Sequence, residues 1–348
     1  MSQAFDEVLA AALGRPIERD EALLLFRETQ GDAAKSERLF ATARQVRRQE
    51  TGDVFRLTGG VGSVLRCTLK PLCQYCPYWR DRGGEPLPTE AIVAAALEFQ
   101  RAGMRSFHLS GGTTLGDDGS EMLAIVQAIY DAGVRNMPIY VNCGAAMSVD
   151  TMRALKNLGV ARVGAVFEIT NPDVFARVKP GDDLERKMQF AEDIGAAGLQ
   201  LGSGMMAGLG PAETRYEDYV NTIFDIARFP HLSSMYVSKF RPDPCIPMKD
   251  WPQCPTEEGM RVVAVARLVL RGVEVGTAAG WLDSERALGL HAGGGNSLFA
   301  FAANRRVGYW KRELGTPTSV RDMLEFRDTR EEKRRFAREC GVTIDENA

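Results

Sequence analysis

From residue 62 onward the chain alternates short β-rich runs with amphipathic helical stretches. This alternation limits the fold more than any other feature, because strand–helix repeats build a parallel sheet covered by helices. The strand candidates are VGSVLRC, MRSFHLSGG, MPIYVNCG, VGAVFEIT, LQLGSGMMAGLG, SSMYVSKF, VEVGTA and NSLFAFA. Between them lie helical segments such as TEAIVAAALEFQRAG, SEMLAIVQAIYDAG, VDTMRALKNLG and EEGMRVVAVARLVLRG. About eight such units in about 240 residues match the usual size of a (β/α)₈ barrel. The expected fold class is therefore α/β, a TIM-type (β/α)₈ barrel. A doubly wound open sheet is the alternative, since one sequence does not show whether a sheet closes. Residues 1–55 read as an N-terminal helical extension, 56–303 as the barrel, and 304–348 as a charged helical tail.

Seven cysteines occur in 348 residues. An odd number in a chain of this length argues against a disulfide scaffold. Three of them, Cys67, Cys73 and Cys76, crowd into the segment CTLKPLCQYC after the first strand candidate. In a barrel the C-terminal ends of the strands carry the chemistry. One loop can wrap three thiolates around a single centre, and soft thiolates suit zinc or an iron–sulfur cluster. A structural zinc site needs a fourth ligand, and no second paired-cysteine or closely spaced Cys/His element is present. Three thiolates on a [4Fe–4S] cluster would instead leave one iron open to a small molecule.

The net charge of −3 gives no concentrated basic surface for nucleic acid. No apolar run reaches the ~18 residues that span a membrane, and the N-terminus does not read as a signal peptide. These features lead to the expectation of a cytoplasmic protein in a reducing compartment, with neither nucleic acid nor membrane as partner.

With its three-cysteine loop and downstream glycine segments, the chain over about residues 20–315 resembles the radical S-adenosylmethionine (SAM) superfamily. The likeness is to its biotin synthase, [FeFe]-hydrogenase maturase and methylornithine synthase branch. The common loop of that superfamily is CxxxCxxC. Here five residues separate Cys67 from Cys73, a spacing that resembles proteins linked to assembly of the iron-guanylylpyridinol cofactor of [Fe]-hydrogenase.

The resemblance implies a [4Fe–4S] cluster on Cys67, Cys73 and Cys76 and SAM as cosubstrate. It further implies a reductant such as flavodoxin or ferredoxin and a small-molecule substrate that loses hydrogen to a 5'-deoxyadenosyl radical. By the same resemblance, Tyr75 packs near the SAM adenine, and Ser110, Gly111 and Gly112 support its methionine amine. Glu168 lies near SAM, and Arg177 and Lys179 are candidates for a carboxylate. Ser203 and Gly204, with Gly208–Leu209–Gly210, match a segment along which the cofactor lies. Gly293–Ser297 matches a segment near the last strand.

Cys143, Cys245 and Cys254 could form a second iron–sulfur site, in which case sulfur insertion becomes the alternative activity. The bland alternative is isolated thiols. A zinc-stabilised scaffold protein is the alternative outside enzymes. His108, His231 and His291 are too scattered for a metal set, although His108 could face the barrel cavity. Lys239 and Arg241 could hold an anionic substrate.

Overall fold

The computed structural model describes residues 3–80, 85–145, 147–305 and 317–345. Three helices come first: α1 (Gln3–Ala12), α2 (Arg19–Thr29) and α3 (Ala33–Thr51). The Asp32 side chain accepts from the Lys35 amide at the start of α3, and Gly52, at φ +76°, ends it. The barrel follows as β1 (Val54–Val61), α4 (Thr89–Arg101), β2 (Phe107–Ser110), α5 (Ser120–Asp131), β3 (Ile139–Asn142), α6 (Val149–Leu158) and β4 (Val160–Gly164). It continues through α7 (Pro172–Val178), α8 (Leu184–Ala196), β5 (Gln200–Ala207), α9 (Arg215–Ala227) and β6 (Leu232–Lys239). It ends with α10 (Thr256–Leu270), β7 (Glu274–Thr277), α11 (Asp283–Ala292) and β8 (Ser297–Arg305).

Strands β1 to β8 pair in sequence order, all parallel, and β8 pairs back on β1. That closure makes the sheet a barrel and excludes the open-sheet alternative. Among the described residues, no helix is long and apolar enough to cross a membrane.

Two segments differ from the sequence expectation. The first strand is Val54–Val61, not VGSVLRC: Ser63 has a φ of +58°, which breaks the strand, and residues 62–67 continue as an irregular loop. The tail contains the expected helix, α12 (Arg330–Glu339), and also short strands. Of these, β10 (Leu324–Asp328) pairs antiparallel with β8 and with β9 (Ser319–Arg321), and β11 (Thr343–Asp345) pairs with β1. The tail strands thus extend the sheet beyond its closure at the β1–β8 seam.

Helix α10 is buried on nearly all sides. Its VVAVARLVL run lacks an outward polar stripe because α3 covers the face turned from the barrel. Arg267 on α10 is fully buried. It donates to the carbonyls of Gly294 at 2.8 Å and Val273 at 2.8 Å, and to Asn296 Oδ1 at 2.9 Å. Asn296 Oδ1 also accepts from the Val275 amide at 2.9 Å. The Gly293–Ser297 segment therefore locks the floor of the barrel, at the end opposite the cysteines. Arg267→Met leaves the buried Gly294 and Val273 carbonyls without the partner that Arg267 supplies, at about 1–3 kcal/mol per group. We expect it to lower unfolding free energy by about 3 kcal/mol in urea titration; a change below about 0.5 kcal/mol would contradict this role.

Candidate active site

The loop after β1 is pinned to an extension of β2. Val64 N–H donates to Ser110 O at 3.0 Å, Gly112 N–H to Leu65 O at 2.7 Å, and Thr68 N–H to Thr113 O at 2.9 Å. These backbone pairs continue the parallel ladder past the ends of both strands. They need glycine: a Cβ on Gly112 would lie 2.2 Å from Cys67 Cα, and one on Gly111 would lie 2.8 Å from Leu65 N. Farther along, Gln74 N–H donates to Val178 O at 2.8 Å. Arg80 then gathers three loop carbonyls, donating to Leu72 O at 3.2 Å, Cys73 O at 2.9 Å and Cys76 O at 3.1 Å.

So held, Cys67, Cys73 and Cys76 line one cavity of about 320 Å³ at the C-terminal mouth of the barrel. Tyr75, Ser110, Gly111, Gly112 and Glu168 line it too. Burial pushes the Cys76 thiol up to about 12, with a further push from Cys73. Cys73 is raised for the same first reason. Such thiols ionise only when a strong cationic centre binds them. Among the described residues, no three His, Cys, Asp or Glu side chains converge on one point for a metal ion. A four-iron cluster spreads its ligands over separate irons and does not demand that convergence.

Glu168 lies four residues beyond β4, in an isolated bridge with Met205, at a φ of +67°. A non-glycine residue in this region carries strain of order 1 kcal/mol, a feature that collects at functional sites. The Glu168 amide donates to Gly204 O and its carbonyl accepts from Met206 N–H, which fixes the strained turn. Its Oε2 is buried without a partner. Burial raises its pKa above the ordinary carboxylate range, against the pull of Lys179 and Lys187.

Those two lysines, both buried, converge on Asp182: Lys179 Nζ at 2.8 Å and Lys187 Nζ at 3.2 Å from Oδ2. Burial, then the charge of Lys179, lowers Lys187 to about 8. Two cations therefore share one aspartate on the cavity wall. This cavity fits an aminoacyl sulfonium beside a cluster, for it supplies thiols, an orphaned carboxylate oxygen and excess buried positive charge.

A second cavity of about 310 Å³ lies below the first inside the barrel, sharing Tyr78, Ser110, Asn142, Val166, Glu168 and Ala279 with it. Ser203 and Gly204 line this lower space. Barrel interiors are usually filled by branched apolar side chains. Here the space is walled by His108, Tyr140, Arg162, Ser234, Tyr236 and Phe299. Glycines make room: a Cβ on Gly60 would strike His108, and one on Gly276 would strike Tyr236.

The other expected residues are divided between this cavity and its surroundings. Arg177 is exposed and lies over the Trp251 ring; Lys179 and Lys187 occupy the cavity instead. Lys239 lines the mouth but is engaged by Glu285 at 2.9 Å and Thr256 at 2.8 Å, while Arg241 lines it with Nη1 buried and unpartnered. Gly208, at φ +92°, packs on Cys254.

The second cysteine site is not assembled. Cys143 turns from the cavity and donates to Leu109 O at 3.7 Å, whereas Cys254 lies buried beside Gly208 and Phe240, and Cys245 is half-buried. His231 and His291 lie outside the barrel, at Ala191 O and near Arg47.

Sequence reasoning missed Lys187, Asp182, Arg162, Tyr78 and Tyr236. Two signals were available. Lys187 is in the first turn of a helix that starts on the strand C-terminal side, and Arg162 is a charge inside the apolar run VARVG.

The "Radical SAM superfamily" description matches residues 63–223. An uncharacterized protein of Methanocaldococcus jannaschii is 25% identical over 270 residues, covering 74% of this chain and 68% of that protein. The crystal structure of methylornithine synthase (PylB) superposes with a TM-score of 0.77 at 17% identity, covering 98% of this chain and 97% of that one. The [FeFe]-hydrogenase maturase HydG from Carboxydothermus hydrogenoformans gives a TM-score of 0.77 at 18% identity, covering 98% and 79%. At such identity these two likenesses describe the fold.

Gly112→Ala drives a methyl into the Cys67 backbone. We expect several-fold less iron per chain after anaerobic reconstitution, with the far-UV circular dichroism unchanged. Wild-type iron content in that variant would contradict the pinned-loop geometry.

Proposed function

We propose that this chain is a radical SAM enzyme, one that cleaves SAM reductively and uses the radical on a small molecule in cofactor or metabolite biosynthesis. The observation that carries this reading is one cavity lined by three loop thiols, an orphaned glutamate oxygen and two buried lysines, opening onto a polar barrel interior. A [4Fe–4S] cluster on Cys67, Cys73 and Cys76 supplies, when bound, the electron that splits SAM into methionine and a 5'-deoxyadenosyl radical able to take hydrogen from carbon.

The chain's own groups do the rest. Ser110, Gly111 and Gly112 present backbone at the rim, where carbonyls accept from an ammonium group. Glu168 Oε2 accepts a hydrogen bond from the amine or the ribose, which removes the penalty of an unpaired buried oxygen. Lys187, with Lys179, faces the methionine carboxylate; neither is fully neutralised by Asp182 alone. Tyr75 supplies a flat wall beside the adenine. The closed barrel beneath shields the radical from water and fixes its distance to substrate. The loop spacing favours the branch linked to iron-guanylylpyridinol assembly. A flavodoxin or ferredoxin would deliver the electron, in the cytoplasm.

Replacing Cys67, Cys73 or Cys76 with Ala is expected to abolish 5'-deoxyadenosine formation in the presence of dithionite. Full activity in any one variant would overturn the assignment. Lys187→Met removes a buried charge-assisted contact, about 1.5–3 kcal/mol. We expect about ten- to hundredfold weaker SAM binding by equilibrium dialysis. Unchanged affinity would place the carboxylate elsewhere.

A further inference from the structure

The lower cavity has an unusual floor. Arg162 on β4 is buried and points inward between Tyr140 and Gly202. Its Nη2 donates to Glu274 Oε2 at 3.2 Å, and its guanidinium stacks 4.3 Å from the Tyr140 ring centroid. Glu274 Oε1 is taken by the Tyr236 hydroxyl at 2.9 Å. Arg162 Nε and Nη1 have no partner, and neither has the neighbouring Ser234 Oγ. A Cβ on Gly202 would lie 3.0 Å from Arg162 Cδ and 3.1 Å from Ser234 Oγ, so these two groups flank one gap.

A buried guanidinium with three unspent N–H bonds costs several kcal/mol unless an acceptor arrives, and a charged acceptor repays most. Above the floor, the rings of Tyr140, Tyr236 and Phe299 and the side chain of Val166 give the walls flat, apolar surface, interrupted by the hydroxyls of Ser203 and Ser238. His108 adds one neutral imidazole, because burial and the charge of Arg162 lower it to about 4. A second guanidinium, Arg286, lines the same space and donates to the Thr277 and Trp281 carbonyls. Since Glu274 already offsets part of the positive charge of Arg162, the floor suits a monoanion better than a dianion such as a phosphate monoester.

We propose that the substrate is a small carboxylate with a flat apolar body, its acid seated on Arg162 and Ser234 and its body directed up the barrel toward Glu168 and the cysteine loop. This rests on the radical SAM reading of the upper cavity. Arg162 precedes Glu168 along the strand direction, so an acid anchored there leaves the far end of the molecule nearest the mouth. Hydrogen is therefore taken from a carbon remote from the carboxylate.

The test uses the full chain, reconstituted anaerobically, with benzoate and phenylacetate as acid probes and benzamide and phenylacetamide as neutral isosteres. Calorimetry reads affinity. The imidazole resonance of His108, one of three histidines in the chain, reports the place of binding. The expected result is acids bound at least tenfold tighter than their amides, with a shift at His108, and this preference lost in Arg162→Gln but partly kept in Arg162→Lys. Equal binding of acids and amides by the wild type, no binding of either acid, or acid preference without a His108 shift would overturn the proposal. The wild-type comparison needs no variant, so a poorly folded Arg162→Gln does not decide it. The same wild-type preparation is assayed for 5'-deoxyadenosine with SAM and dithionite. Its formation without acid preference sinks the substrate class alone, and its absence sinks the radical reading on which that class rests.

Discussion

The architecture of the site depends on one close backbone approach. The cysteine loop runs beside the end of β2 with no side chain between them, because Gly111 and Gly112 carry none. Three interstrand backbone hydrogen bonds then turn a loop of otherwise irregular path into a continuation of the sheet. From that seam the positions of Cys67, of the Arg80-gathered carbonyls and of the cavity wall all follow. Strand β1 ends early for the same reason: the chain must leave the barrel wall at Ser63 to lay the thiols across its mouth.

Electrostatics divides the interior into two storeys. The upper one sets three thiols and Glu168 against Lys179 and Lys187, with Asp182 shared between the cations. The lower one sets Arg162 against Glu274 and surrounds them with aromatic rings and serines. Buried charges are expensive and persist where they are paired or await a partner. The orphaned atoms in both storeys, Glu168 Oε2 above and Arg162 Nε and Nη1 below, lie where the two cavities need ligand contacts.

Much of this was legible in the sequence. The strand–helix alternation carried the barrel, and the three-cysteine spacing and the SGG run marked its mouth. What stayed hidden depended on side-chain direction. Arg177 and Lys187 are both cations near the same loop, yet only the second faces inward, because it lies in a helix turn that starts over the barrel mouth while Arg177 sits on the outer face of α7. Cys143 follows an inward-facing Asn142 and so turns outward, by the two-residue period of a strand that a bare cysteine count ignores. The tail strands are three to five residues each and carry no clear periodic signal.

The central claim is that three sulfurs of one loop leave a single iron open to SAM. Electron paramagnetic resonance of the anaerobically reconstituted, dithionite-reduced chain tests it most directly. The three-thiolate site predicts a reduced [4Fe–4S] signal whose g values move when SAM is added. A colourless protein with stoichiometric zinc, or a cluster signal indifferent to SAM, would contradict it.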